Sequence, residues 1–290
     1  MFERIMPALA PLTLDYDRDV QSLTPAGNAT ERHILVALDA AARELYPDRC
    51  DLLAFWTAKL GLSPEKVEAG IGLEPGPSDL VRSRLMKRGG VGYVQPGPDT
   101  FPMFADVAQA IIAAGAIPTL AWLDGSTSGE QRLPEMLELM VARGVGAFNI
   151  IPDRNWNFAD AALRKTRVAA LYEAVELARE FSLPVVVGTE LNKPGQRILD
   201  DFNAEPLVPL HDEFTRGTDF CYGHTVMERA WGIGYQSDWA ARYLGSRQER
   251  NAFYIEAGRL IPPGAETLAR LRAVSVPELP DRVLGVLAQL

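Results

Sequence analysis

An α/β fold is predicted: a partial β/α barrel or an open parallel sheet of about four strands, with an amino-terminal helical region and a helical carboxyl-terminal extension. Three observations predict it. First, the short apolar runs Val91-Gly92-Tyr93-Val94, Ile117 to Leu123, Ala147 to Ile151 and Val185-Val186-Val187 alternate with amphipathic stretches at Phe104 to Ala114, Leu133 to Arg143 and Ala161 to Phe181. That order is expected of parallel strands joined by crossover helices. Second, the chain before residue 91 and after residue 192 carries helix signals and loops without such runs. Third, 290 residues with 47% hydrophobic and 23% charged content give an ordinary globular chain, which excludes disordered and fibrous classes. The expected organisation is a helical region over 1–90, a β/α half-barrel over 91–192, and a helical, loop-rich extension packed on the barrel over 193–290.

The elements follow in order. Asn28 stands three residues before Glu31, a cap-and-carboxylate spacing, and Ile34, Leu38, Ala41 and Leu45 then mark one helix face. A second helix runs from Asp51 through Leu52, Trp56 and Leu60, and Ser63-Pro64-Glu65 opens a short third with proline in its first turn. The fourth, near Asp79 to Arg88, ends in Lys87-Arg88-Gly89-Gly90, where cations suit the carboxyl end of the dipole and glycine takes the left-handed stop. Val107 to Leu123 is uncharged for 17 residues, but it contains Gln109, Gly115 and Pro118 and changes period at the glycine. It reads as helix, turn and buried strand rather than a membrane span. Ser246-Arg247-Gln248-Glu249 is a capping box, and Pro262-Pro263-Gly264 separates its helix from a last one carrying Leu268, Leu271, Val283 and Leu287.

Composition narrows the function. Lys plus Arg is 29 against 38 for Asp plus Glu, a net charge of −9, which disfavours nucleic acid as a partner. Cys50 and Cys221 stand apart without metal-ligand spacing, and Glu3, Arg4, Pro7 and Pro11 break up the amino terminus. No disulfide framework, zinc finger or signal peptide is indicated, and a reducing cytoplasm is expected. His33, His211 and His224 are the three histidines, too few for a histidine-rich metal cluster within the chain. No nucleophile elbow, zincin or P-loop motif occurs.

Chemistry in such folds collects beyond the carboxyl ends of the strands. Three consecutive ends carry Asp124 in Leu123-Asp124-Gly125-Ser126, Asp153 in Ile151-Pro152-Asp153-Arg154-Asn155, and Glu190 in Gly188-Thr189-Glu190-Leu191-Asn192. Alternate strand residues share a face, so Glu190 and Asn192 can point into one pocket. Converging carboxylates there hold a hard cation or act as acid and base. Local roles compete with this: Asp124 before glycine is a turn residue, Asp153 after Pro152 is a helix cap, and Arg154 is either an anion contact or the ion-pair partner of Asp153. Trp122 reads as a core or pocket-wall aromatic. His33 reads as a surface or packing residue, His211 as a cap-region residue or ligand, and His224, after an apolar run and Gly223, as the best pocket histidine.

The run from Phe101-Pro102-Met103-Phe104 through Ala113-Ala114-Gly115-Ala116-Ile117-Pro118 resembles the helix and strand that lead into the Ala-His-Pro motif of the PHP family of metal-dependent phosphoesterases. Thr30 to Leu38, Arg84 to Lys87 and Tyr93-Val94 resemble the helical insertion before that strand, and Pro184 to Asn192 resembles the last strand of the TIM-barrel-like fold, whose pattern ends Gly-Ser-Asp-x-His. The resemblance spans about residues 20 to 195 and lies in the order of segments. It implies a hydrolase of small phosphorylated molecules. Its divalent metal (Mn, Zn or Mg) would be held by Glu190, Asn192 and Asp124, with Asp153, Arg154 and His224 as catalytic contacts. Departures accompany it: Trp122 stands where the family has a metal-binding histidine, Glu190 and Asn192 replace Asp-x-His, and the opening H-x-H strand has no counterpart. A truncated or degenerate relative is therefore expected, its open sheet edge near Val91 to Val94 covered by the early helices or paired with a second copy or a missing amino-terminal half. The alternatives are a non-catalytic binding or regulatory protein on the same scaffold, and another β/α-barrel enzyme such as a sugar isomerase or aldolase.

Overall fold

The amino-terminal helices start where side chains can cap them. A computed structural model describes residues 1–71, 79–191 and 196–290, and the chain forms two compact units, one through Met1–Phe101 and the other from Pro102 onward. In the first, α1 (Glu31–Leu45) is capped by Thr30, two residues beyond the expected Asn28. Thr30 has the extended backbone a cap needs, its hydroxyl accepts from the Arg32 amide, and His33 Nδ1 accepts from the Thr30 amide. His33 is thus part of the cap. Asp48 caps α2 (Arg49–Leu60), which stops at left-handed Gly61; α3 (Pro64–Ile71) and α4 (Asp79–Leu85) follow. Leu35, Leu38, Leu52, Trp56, Val67 and Leu85 form the core of this unit, each buried leucine contributing roughly 1.5–3 kcal/mol.

Val91 to Val94 is not a strand. The Gly92 amide donates back to Leu85 O and the Tyr93 amide to Gly90 O, so the segment spends its backbone donors on local turns, and Val91 and Val94 stay exposed.

The second unit holds the sheet. In it, α5 (Phe104–Ala113) ends at left-handed Gly115, and β1 (Thr119–Trp122) follows Pro118. α6 (Leu133–Val141) leads to β2 (Ala147–Ile150); a single turn, α7 (Asp153–Trp156), and α8 (Ala161–Glu180) lead to β3 (Val185–Val187). The three strands are parallel in the order β1-β2-β3, with Thr119 opposite Ala147 and Phe148 opposite Val185. The sheet is small and open, and no barrel closes among the described residues. Its edge strands are β1 and β3, so the open edge expected at Val91 to Val94 belongs to β1.

Strand alternation divides the core. Phe148 and Ile150 face Trp122, Leu137, Leu171 and Val175, while Ala147 faces the other way toward Phe220, Met227 and Tyr254. The latter come from α9 (His211–Trp231) and α11 (Arg247–Leu260), with α10 (Asp238–Tyr243) between them and α12 (Ala265–Arg272) and α13 (Pro280–Leu287) closing the chain. Gly217 lets α9 lie directly on β3: a Cβ there would sit 1.8 Å from Val185 O. Gly223 and Gly258 bring α9 and α11 equally close, each Cβ falling 2.0 Å from a carbonyl of the facing helix. Among the described residues no helix is long and apolar enough to cross a membrane.

Candidate functional site at the carboxyl ends of the strands

The loop after β1 is held by Glu130, whose carboxylate accepts from the Leu123 amide at 2.6 Å and from the Thr127 hydroxyl at 2.9 Å. That presents Asp124. Its Oδ1 accepts from the Ser126 amide at 3.0 Å, the turn role read from sequence, and its Oδ2 lies 3.2 Å from Arg154 Nη2. Arg167 of α8 donates to the Asp124 carbonyl at 2.7 Å and lies 3.5 Å from its Oδ1. Burial pushes the Asp124 carboxyl up, but Ser126, Arg154 and the charge of Arg167 outweigh it and hold it below the usual carboxylate range.

Arg154, on the single turn beyond β2, reaches the next strand end: its Nη1 lies 3.2 Å from Glu190 Oε2. The guanidinium therefore spans Asp124 and Glu190, drawing together three consecutive strand ends, and its ion-pair partners are these two rather than the adjacent Asp153. Asp153 begins α7 without capping it, since Pro152 takes the cap position; the cap of α8 is Asp160. Trp122 is 2% exposed and packs beside Phe148, a core aromatic.

Asn192 lies outside the described residues. Of the other two expected metal ligands, Asp124 and Glu190 do converge, but on Arg154, so the positive charge between them is already supplied by the chain. Among the described residues no group of three or more histidine, cysteine and acidic side chains is arranged to hold a metal ion. As arranged, the space between Asp124 and Glu190 is taken by the Arg154 guanidinium.

His224 is not part of this cluster. Its Nδ1 accepts from the Tyr235 amide at 2.9 Å and its ring also bonds the Gly115 backbone, residues near the amino ends of the strands. Burial lowers its pKa against the opposing charge of Glu228, so a neutral ring pins the α9–α10 connection to the start of β1. His211 Nε2 is 2.6 Å from Phe202 O at the start of α9.

Sequence reasoning missed Arg167, Asn155 and Asp200. Asn155 is fully buried and donates through Nδ2 to Leu123 O and Ile151 O, both at 2.9 Å, tying two strand ends together. Asp200, 4% exposed, has its carboxyl pushed up to about 6, first by burial and then by the charge of Asp153, against the pull of Thr189 and Arg197. Asp153 Oδ1, Arg154 Nε, Asn155 Oδ1, Trp156 Nε1 and Asp200 Oδ2 are buried without a hydrogen-bond partner, a concentration that a finished structural core avoids. The only advance signal was the unbroken polar run Asp153-Arg154-Asn155 after an apolar strand.

The fold and site define a helix-rich chain with a small parallel sheet whose carboxyl end carries an arginine bridged by two carboxylates. No family model, curated protein or solved structure matches this chain.

Proposed function

We propose that the carboxyl end of the β1–β3 sheet is the active site of an enzyme that moves protons on a small, uncharged, hydroxyl-bearing molecule, as a sugar isomerase does. One observation carries this reading. Four consecutive residues, Asp153 to Trp156, each keep a buried polar atom without a partner, two of them acceptors and two donors. A hydroxyl both donates and accepts, so a polyol suits a mixed set, whereas phosphate oxygens mainly accept. Charge is compatible with the same choice: Arg154 is paired with Asp124 and Glu190, and Arg167 with Asp124, so these two cations are already engaged. The four atoms are shut off from solvent in this conformation, so ligand entry requires the strand-end residues to shift.

The second reading is the PHP-like, metal-dependent phosphoesterase that the resemblance implies, on a partial barrel completed by strands beyond these three. Its support is that Asp124 and Glu190 converge on Arg154; a divalent ion can take that place only if Arg154 leaves it.

Saturation-transfer NMR with a panel of neutral aldoses and ketoses and with glucose 6-phosphate, each with and without MgCl2, tests the choice. A neutral sugar should bind without metal, and Arg154→Ala should abolish the signal. Binding of the phosphorylated sugar alone, and only with MgCl2, would replace the first reading with the second. Silence from every neutral sugar would reject the first.

A further inference from the structure

We infer that the cavity lined by α9, α11 and α13 binds a free apolar α-amino acid, its carboxylate held by Arg216 and its ammonium by Glu256 and Asp281. The cavity measures about 470 Å³, within the range of roughly 300–1,000 Å³ usual for small-ligand sites. Buried Leu244, Phe253 and Ile255 give it apolar wall, and Leu284 of α13 adds to it. None of the strand-end residues lines it, so the inference stands apart from the proton-transfer reading.

Its charges are the remainder of pairing elsewhere. Arg216 has an acid one helical turn to either side, Glu213 and Asp219. Both are taken: Arg179 of α8 lies 3.0 Å from Glu213, and Arg259 of α11 lies 3.0 Å from Asp219. Arg259 is also the cation one turn from Glu256, so these two ion pairs engage the helical neighbours of Arg216 and Glu256 alike. Among the described residues Arg216, Glu256 and Asp281 make no ion pair, with one another or elsewhere. Opposite charges thus line one cavity without meeting.

A molecule carrying both charges matches that arrangement. A lone anion would face two carboxylates, and a lone amine would face the guanidinium. A zwitterion satisfies both, because the guanidinium fork fits a carboxylate and an ammonium has three donors, enough for Glu256 and Asp281 together. The apolar wall then selects a side chain such as that of leucine or phenylalanine over a charged one.

An amide chemical-shift titration of the nitrogen-labelled full chain with L-phenylalanine, phenylpropionate and phenethylamine tests the site. Phenylalanine should bind at millimolar concentration or below, with shifts centred on α11 and α13. Each analogue, lacking one charge, should bind at least about tenfold more weakly. Arg216→Gln should weaken phenylalanine to the level of phenethylamine, and Glu256→Gln with Asp281→Asn to that of phenylpropionate. The ligand series on the unaltered chain needs no variant, so it decides even where a variant misfolds. Absence of shifts with phenylalanine, equal affinity for phenylalanine and either analogue, or unchanged binding in Arg216→Gln would overturn the site. Arg154→Ala should leave phenylalanine binding intact while abolishing that of neutral sugars, so the two sites fail separately; loss of phenylalanine binding in that variant would overturn this one.

Discussion

The two ends of the β1–β3 sheet treat buried polar groups in opposite ways. At the amino end they are joined into a network: Tyr235 donates to Asn251, Asn251 to Ser182 O, Arg247 to Val145 O and Gln236 to Gly144 O, and His224 is bonded by Tyr235. Arg250 Nε is the exception there. At the carboxyl end, Asp153, Arg154, Asn155, Trp156 and Asp200 all leave a buried atom unmet, at about 1–3 kcal/mol each. One end is finished as structure; the other carries a deficit that a ligand can repair.

Perturbing each end separates them. The largest effect is expected from Gly217→Ala, which puts a Cβ 1.8 Å from Val185 O; denaturant unfolding should show a loss of about 4 kcal/mol or more, or no folded protein. His224→Ala comes next. It leaves the Tyr235 amide and the Gly115 contact unsatisfied and should cost about 2–4 kcal/mol at pH 7 by the same measurement.

Asp200→Asn should act in the other direction. A folded pKa raised from 3.8 to about 6 means that stability is fully present below the unfolded value and is lost as pH rises through the folded one. The variant escapes that loss, so it should exceed the parent by about 2–3 kcal/mol at pH 7–8 and match it in acid. His224 has the opposite slope: with its folded pKa lowered, it supports the fold above its unfolded value and ceases to as pH falls. Unfolding free energies of the two variants should therefore depart from the parent in opposite directions at neutral pH, and both differences should shrink in acid. A shared slope would erase the contrast between the two ends. The smallest stability effect is expected from Arg154→Lys, about 1 kcal/mol because the side chain is 35% exposed, although losing the two-carboxylate bridge should abolish sugar binding.

Much of this was legible in advance, for local reasons. The change of period at Gly115 and the carboxylates Asp124 and Glu190 at strand ends are signals carried within a few residues, whereas the helix expected to run to Gly89-Gly90 ends at Leu85, with the left-handed Gly89 in the turn that follows. Val91 to Val94 misled because an apolar run looks like a strand whether or not a neighbour takes its amides. His224 misled because an apolar run followed by glycine and histidine reads as a pocket wall, while the helix that contains it runs toward the amino end of the sheet. Asp200 and Arg167 were invisible, since only the folded chain brings them to Asp153 and Asp124.

The three glycines at the crossings of α9 carry a consequence for motion. Where helix backbone rests on strand and helix backbone with no side chain between, the contact can neither slide nor open by rotamer change; it must separate as a block. Amide protons in the middle of α9 and α11 should thus exchange only through global unfolding, while those of Asp153 to Trp156 exchange through small local openings. Opening at the carboxyl end of the sheet then need not loosen the packing at the glycine crossings.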